Sequence, residues 1–200
     1  VKTGWLGKLG FIDFAGSSVV HSVGGWVALA VLLIIGNRTG RFQEGKKRTF
    51  QGSNTPLAAL GALILWFGWF GFNGGANGAM DLRIPLILIN TFLAASAGLV
   101  LSSIMGIYVM KKPEPMFMIT GPIAGLVSIT ASCAYVEPTE AIIIGSIGGL
   151  VSGSGILLLE KIKVDDVVSA VPVHLFAGTW ATIAVAIFGY LEAMGIDRSM

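Results

Sequence analysis

Charged residues and cysteine are scarce in this chain. Asp, Glu, Lys and Arg make up 12% of its 200 residues, about half the share that is usual in a soluble domain. Hydrophobic residues make up 54% of the chain and the mean hydropathy is +0.81. This balance, with its recurrent long apolar runs, excludes a soluble enzyme and indicates a polytopic membrane protein. The only cysteine is Cys133, which excludes an intrachain disulfide and a cysteine metal cluster.

Three further absences narrow the choice of function. The formal net charge of +2 is too small to indicate nucleic-acid binding. No lysine lies in the core of a predicted helix, which argues against a retinal protein, because retinal needs a Schiff-base lysine. The chain shows no signal peptide pattern. It opens on Val1 in what reads as a loop and stops soon after a membrane span, so we expect it to be part of a longer protein.

Six apolar segments predict an all-α, polytopic membrane helix bundle that forms one domain over residues 1–200. Their approximate bounds are 14–36, 57–75, 84–110, 116–136, 141–159 and 166–190. The loops on one side carry nine Lys or Arg residues, against four on the other. The positive-inside rule makes the first side, with loops 37–54, 111–115 and 160–165, cytoplasmic. The first and sixth spans then run antiparallel.

Two stretches near the ends of the chain share the pattern Asp, seven residues, His, three residues, Gly. They are Asp13, His21 and Gly25 in the first, and Asp166, His174 and Gly178 in the second. The two histidines are the only ones in the chain, and an ionisable residue inside a membrane span is a candidate for function by default. Eight helical residues rise about 12 Å, and half the hydrocarbon core is about 15 Å, so each His should lie near the midplane. On antiparallel helices this predicts an inverted repeat with a central site.

Simpler interpretations of these residues stay open. Asp13 and Asp166 are either plain helix N-caps or functional charges. Each histidine either hydrogen-bonds a neighbouring helix or belongs to a site, and the matched repeats favour a site. If two neutral rings meet, they share one hydrogen bond and present one donor and one acceptor to a pore, which suits a small polar molecule or a proton relay. A metal would need more ligands than these helices offer, so we expect neither a metal nor a cofactor.

The second span contains a dense aromatic stretch, residues 66–75, near its outer end. It belongs either to the interfacial aromatic belt or to a cation–π vestibule followed by an aromatic plug. Aromatic faces attract a desolvated ammonium ion by about 2 kcal/mol or more. Glycines spaced by four residues predict close helix packing. They are Gly71 and Gly75, Gly121 and Gly125, and Gly145, Gly149 and Gly153.

Taken together, these residues resemble the ammonium transporter family (Amt, with its MEP and Rh relatives). Residues 13–21 look like the family's fifth-helix motif, residues 67–73 like its sixth-helix motif, and residues 165–174 like its tenth-helix motif. The resemblance implies an eleven-helix inverted repeat, of which this chain would hold the counterparts of helices five to ten. It also implies a homotrimer in the lipid bilayer, with a pore in each subunit.

The resemblance assigns a role to each candidate site residue. It makes His21 and His174 the twin-histidine pair of the pore and Asp13 the acidic residue below the outer vestibule. Phe72 becomes one of two stacked gate phenylalanines, and Trp69 a pore-side aromatic. The implied function is transport of ammonium or ammonia across the cell membrane, without enzymatic activity. The alternative is an ammonium-sensing membrane domain of a signalling protein, with a cytosolic regulatory or signalling domain as partner.

The chain departs from the family pattern at several positions. Ser169 stands where an aspartate is usual, five residues before the second histidine. Ala76 stands where the vestibule serine is usual, and the vestibule tryptophan would fall at or near Val1. The loss of vestibule residues argues against fast transport and keeps the sensing alternative open.

Overall fold

A computed structural model describes residues 4–43, 46–47, 50 and 52–195 of the chain. This part is a helical bundle with one two-residue β pair, in which β1 (Phe42–Gln43) runs antiparallel to β2 (Lys46–Lys47). The α-helices are α1 (Trp5–Lys8), α2 (Val23–Ile35), α3 (Thr55–Gly75), α4 (Ile84–Met110), α5 (Pro115–Ile129), α6 (Pro138–Lys161) and α7 (Ala177–Phe188). Single π-helical turns precede α2 and α7, at Ser17–Ser22 and Val171–Phe176.

Five helical segments of the described residues are long and apolar enough to cross a membrane. They are Ser17–Ile35, Thr55–Gly75, Ile84–Met110, Pro138–Lys161 and Val171–Phe188. The fourth predicted helix is shorter than expected. It ends at Ile129, and its 15 residues rise about 22 Å, less than the roughly 30 Å of a bilayer core. The chain continues from there as a series of turns to residue 135.

The carbonyl groups of residues 130–136 explain why this helix stops. Several of them accept hydrogen bonds from other segments instead of from the next helical turn. The bonds run from Ala15 N–H to Thr130 O (3.0 Å), from Phe14 N–H to Ala131 O (3.1 Å), and from the Asn90 side-chain amide to Cys133 O (2.9 Å) and Val136 O (2.7 Å). Donors from other segments therefore satisfy backbone carbonyls that follow the helix end at Ile129. Those donors lie far away in the sequence, so the apolar run 116–136 gave no sign of the break.

Helices α4, α5 and α6 form the centre of the bundle and approach one another at small residues. A Cβ atom at Gly145 or Gly125 would overlap the backbone of Ala94, and one at Gly149 would overlap the backbone of Gly98. This confirms the predicted close packing for the glycines of α5 and α6.

For Gly71 and Gly75 of α3, close packing stays a prediction. A Cβ atom at either position would meet open space among the described residues. Both glycines lie on an exposed part of α3.

The two segments that carry the histidines lie side by side. We call Ser17–Ile35 the His21 segment and Val171–Phe188 the His174 segment. Ser18, near the start of the first segment, hydrogen-bonds Thr182, near the end of the second. Just after the end of the first segment, the Arg38 backbone N–H donates to the side chain of Asp165, which lies just before the second. Contacts that pair early residues with late ones require antiparallel segments, as predicted.

Which side of the bundle faces the cytoplasm stays a prediction. Val1, Lys2, Arg48 and Arg198 lie outside the described residues, and so do the side chains of Lys46 and Lys47.

Candidate functional site

The Asp13 side chain caps the backbone at the start of the His21 segment. Its carboxylate accepts hydrogen bonds from the N–H groups of Gly16 (3.2 Å), Ser18 (2.9 Å) and Val19 (3.0 Å). The side chain is buried, and its contacts satisfy donors that the start of a helix leaves open. The capping interpretation therefore holds for Asp13. A second, functional role of its charge is a separate question.

Asp166 caps the His174 segment in the same way. Its two carboxylate oxygens accept from the N–H groups of Ala170 (3.0 Å) and Val171 (2.7 Å). In both copies the third residue after the aspartate is left-handed, Gly16 with φ 109° and Ser169 with φ 58°. The chain therefore turns before each helix begins. The predicted run of eight helical residues from Asp to His is wrong, but the two paths remain matched because both deviate alike.

Both histidines lie in π-helical turns, His21 in Ser17–Ser22 and His174 in Val171–Phe176. Such turns are rare and occur frequently at functional sites. Each one widens the helix locally and changes the direction of the side chains within it. Hydropathy predicted continuous helices here, because a π turn has no hydrophobic signature of its own.

Gly25 and Gly178, four residues after each histidine, allow the two segments to cross closely. A Cβ atom at Gly25 would overlap the backbone of Leu175, the residue after His174. A Cβ atom at Gly178 would lie 2.9 Å from the carbonyl oxygen of Ser17 and 3.1 Å from the backbone nitrogen of Ser22. The glycine of each repeat therefore packs beside the histidine turn of the other repeat.

The crossing brings the two imidazole rings together. Nδ1 of His21 lies 3.2 Å from Nδ1 of His174, and the rings meet edge to edge with centroids 5.2 Å apart and planes 12° apart. One hydrogen bond between neutral rings requires that one Nδ1 donates and the other accepts. The first ring then has a bare Nε2, and the second has an Nε2–H group. Nε2 of His21 is buried and has no hydrogen-bond partner among the described residues.

Aromatic side chains of α3 cover the outer face of His21. The Trp69 ring stacks on the His21 ring, with centroids 4.9 Å apart and planes 14° apart. The Phe72 ring is tilted, with its centroid 5.7 Å from that of His21. Trp69 is buried and Phe72 is 41% exposed, while Phe67 of the same stretch is 77% exposed. The aromatic stretch therefore supplies both a site wall and an outward-facing belt.

Four of the five predicted site residues thus form one contiguous group, with Trp69 and Phe72 against His21 and His21 against His174. A family model for the ammonium transporter family matches residues 1–199 of the chain. The chain belongs to the ammonium transporter family.

Three relatives give the extent of this similarity. Ammonium transporter Amt2 of Archaeoglobus fulgidus is 46% identical over 190 residues, which are 94% of this chain and 40% of Amt2. The solved structure of a Sensor Amt Protein is 42% identical, with a TM-score of 0.92 over 95% of this chain and 47% of the other. Saccharomyces cerevisiae Mep2 is 30% identical, with a TM-score of 0.87 over 95% and 43%. The chain therefore spans less than half the length of these relatives.

Membership of this family, together with the apolar spans, makes the chain part of a multi-pass integral membrane protein. Two curated relatives from Archaeoglobus fulgidus, Amt2 and Amt1, are named as ammonium transporters. Within the described residues, no group of three or more His, Cys, Asp or Glu side chains is placed to hold a metal ion.

Sequence analysis missed Thr130, which holds the site from behind. The Trp69 indole N–H donates to the Thr130 hydroxyl oxygen (2.8 Å), and that hydroxyl donates to the Leu126 carbonyl (2.6 Å). The backbone carbonyl of Thr130 also accepts from Ala15, near the start of the His21 segment. A buried tryptophan needs a partner for its N–H group, but the sequence offers many hydroxyl groups and no means of choosing among them.

Proposed function

We propose that the protein transports ammonium, or the ammonia formed from it, across the cell membrane through a pore lined by His21 and His174. The observation that carries this proposal is the pair of nearly coplanar imidazoles, 3.2 Å apart at Nδ1, in a chain of the ammonium transporter family. The protein would lie in the lipid bilayer as a homotrimer, with residues 1–200 as part of one transmembrane domain.

The chemistry of the pair suits ammonia better than the ammonium ion. A bare ammonium ion in an apolar pore costs many kcal/mol of lost hydration. Ammonia has one lone pair and three N–H groups. The ring with an Nε2–H group can donate to the lone pair, and the ring with a bare Nε2 can accept from an N–H group. Both contacts are available to one small molecule that passes along the rings.

The aromatic side chains and Asp13 would act before this step. The faces of Trp69 and Phe72 lie beside His21 and attract a cation through their quadrupoles. The negative charge of Asp13 would lower the energy of a cation that reaches the start of the His21 segment, in addition to capping it. In this scheme ammonium beside the aromatic wall transfers a proton to the bare Nε2 of the histidine pair, and ammonia moves on along the rings. The proton then follows either through the two imidazoles or along a separate water-filled path.

Flux measurements on the complete protein in liposomes test the proposal. We expect His21→Ala and His174→Ala to fold and to change the rate of methylammonium uptake or its selectivity over potassium, because each variant breaks the donor–acceptor pair. Val20→Ala is the matched control, since Val20 is next to His21 in the same π turn and half exposed. Wild-type flux and selectivity in both histidine variants would overturn the proposed pore.

Ammonium sensing is the second candidate function. The 42% identity and TM-score of 0.92 to the Sensor Amt Protein favour it, as do the departures at Ser169 and Ala76. In this case ammonium would bind at the same aromatic wall and shift helix packing, and a cytosolic signalling domain would read the shift. Saturable ammonium binding without flux in the wild type would assign the protein to this function.

A further inference from the structure

The carboxylate of Asp165 accepts several directed polar contacts from a distant segment of the chain. Its oxygens accept from the Arg38 backbone N–H (3.0 Å), Arg38 Nε (2.7 Å) and Arg38 Nη2 (2.8 Å), while Arg41 Nε lies 3.4 Å away and the Asp165 backbone N–H donates to Asn37 Oδ1 (3.0 Å). Arg41 also pairs with Glu160. The Asp165 side chain is 3% exposed, so these contacts compensate a buried charge.

This cluster joins the end of one histidine segment to the beginning of the other. Arg38 comes three residues after Ile35, where the His21 segment ends. Asp165 directly precedes Asp166, the cap of the His174 segment. The two partners are 127 residues apart in sequence. Between this cluster and the outer Ser18–Thr182 bond lies the glycine crossing that brings the imidazoles together.

We propose that Asp165 and Arg38 are positioning residues, which fix the angle between the two histidine segments and thereby the contact of His21 with His174. The proposal rests on the proposed function, because the histidine contact is taken as the transport site. Segments that cross at small residues have no bulky side chains at the crossing to prevent rotation. At one end of the two crossing segments, a bidentate Arg–carboxylate pair holds its two partners in a fixed relative orientation.

The first repeat has no equivalent of this pair. The residue before Asp13 is Ile12, which packs in an apolar cluster with Ala131, Ala181 and Val185. The outer start of the His21 segment is held instead by backbone bonds to residues 130 and 131. Among the described residues, an ion pair of this kind therefore joins the two segments at one end of the site only.

Substitutions at Asp165 test the proposal by the maximal rate of transport. In the complete protein in liposomes, we expect Asp165→Asn to lower the maximal methylammonium flux per folded molecule about tenfold or more, because small misplacements of reacting groups are costly. The concentration for half-maximal flux should stay unchanged, since the outer aromatic wall is untouched. Arg38→Lys keeps the charge but loses the fork and should give a smaller loss, and Asp165→Glu should restore part of the flux.

Asp81→Asn is the matched control. Asp81 also pairs with an arginine, Arg83, through two N–H groups on one carboxylate oxygen, but that pair is exposed and lies between α3 and α4. We expect Asp81→Asn to leave the flux unchanged. Equal flux in Asp165→Asn and wild type, or a loss in Asp81→Asn as large as that in Asp165→Asn, would overturn the proposal.

A distance measurement separates this proposal from the proposed function. Spin labels on Ile35→Cys and Val168→Cys report the approach of the two segments, and both positions are exposed while Cys133 is buried. We expect Asp165→Asn and Arg38→Lys to broaden or shift the interspin distance, and Asp81→Asn to leave it unchanged, whether or not the wild type transports ammonium. An unchanged distance in both cluster variants would overturn the positioning role even if the wild type transports.

Discussion

The His21 segment and the His174 segment share a plan but not an environment. In both, an aspartate caps a left-handed turn, a π-helical turn carries the histidine, and a glycine four residues later faces the other segment. Nine of the 18 residues in the His174 segment are buried in the described part of the chain, against three of the 19 in the His21 segment. The two copies therefore repeat the local motif, but their surroundings in the described part of the chain are different.

The two rings differ in their neighbours as a result. His21 is enclosed between Trp69 and His174, with both ring planes nearly parallel to its own. His174 belongs to the segment that the Arg38–Asp165 pair holds. One ring of the pair is stacked against Trp69, and the other belongs to a segment that begins beside the Arg38–Asp165 ion pair. We therefore expect the two copies to respond differently to substitution.

The largest expected effect comes from the crossing that the two copies share. Gly25→Ala should destabilise the protein by about 1–3 kcal/mol or more, since its methyl group would overlap the Leu175 backbone. We expect the histidine contact and the flux to be lost with it. Gly24→Ala is the control, because a Cβ atom there meets nothing within 4 Å. Melting temperatures in detergent and uptake in liposomes measure both effects, and similar results for the two variants would refute the close crossing.

Substitutions at the two caps separate charge from capping. Asp13→Ala and Asp166→Ala should each lower stability by about 1–2 kcal/mol. The Asn variants should keep only part of each cap, because both carboxylate oxygens accept backbone N–H groups and Asn offers a single acceptor oxygen. Asp13→Asn should still transport poorly, because it removes the negative charge that would face the incoming cation. Asp166→Asn should transport normally. Thermal stability recorded beside uptake tests this. Wild-type uptake in Asp13→Asn would reduce Asp13 to a structural cap.

Removing the hydroxyl behind the Trp69 ring should have an intermediate effect. Thr130→Val leaves the Trp69 indole N–H without its partner, which costs about 1–3 kcal/mol for a buried donor. We expect flux to fall several-fold as the ring loses its fixed position against His21. Thr130→Ser retains the hydroxyl and is the control. Equal flux in the Val and Ser variants would show that the hydrogen bond does not position the ring.

The smallest effect concerns pH and the Asp165 cluster. Hydrogen bonds from the Arg38 side chain lower the pKa of the Asp165 carboxyl below its usual range. A carboxyl whose pKa is lowered on folding contributes stability above its unfolded pKa, about 3.9, and loses it as pH falls through the folded value. The stability difference between wild type and Asp165→Asn should therefore be constant from about pH 5 to 8 and shrink below about pH 4. Melting temperatures over this range check the sign, and a difference that already shrinks between pH 8 and 5 would contradict it.

The spans could be predicted from the sequence because lipid exposure requires long apolar runs. The prediction for residues 84–110 matches α4 at both ends, since charged or polar loops border it. The helix at 116–136 was predicted too long, because its end depends on donors from Phe14, Ala15 and Asn90. Those donors lie in other segments, where no local pattern reveals them.

Sequence alone determined the motif: the spacing of Asp, His and Gly in two copies, the aromatic stretch, and the expectation that the two histidines meet. These features are local, and their period along the chain carries the information. Only the tertiary structure decided the π-helical turns, the Thr130 support of Trp69 and the pairing of Arg38 with Asp165. Each of these depends on which of many chemically equivalent groups becomes a neighbour, and that is set by how helices distant in sequence pack together.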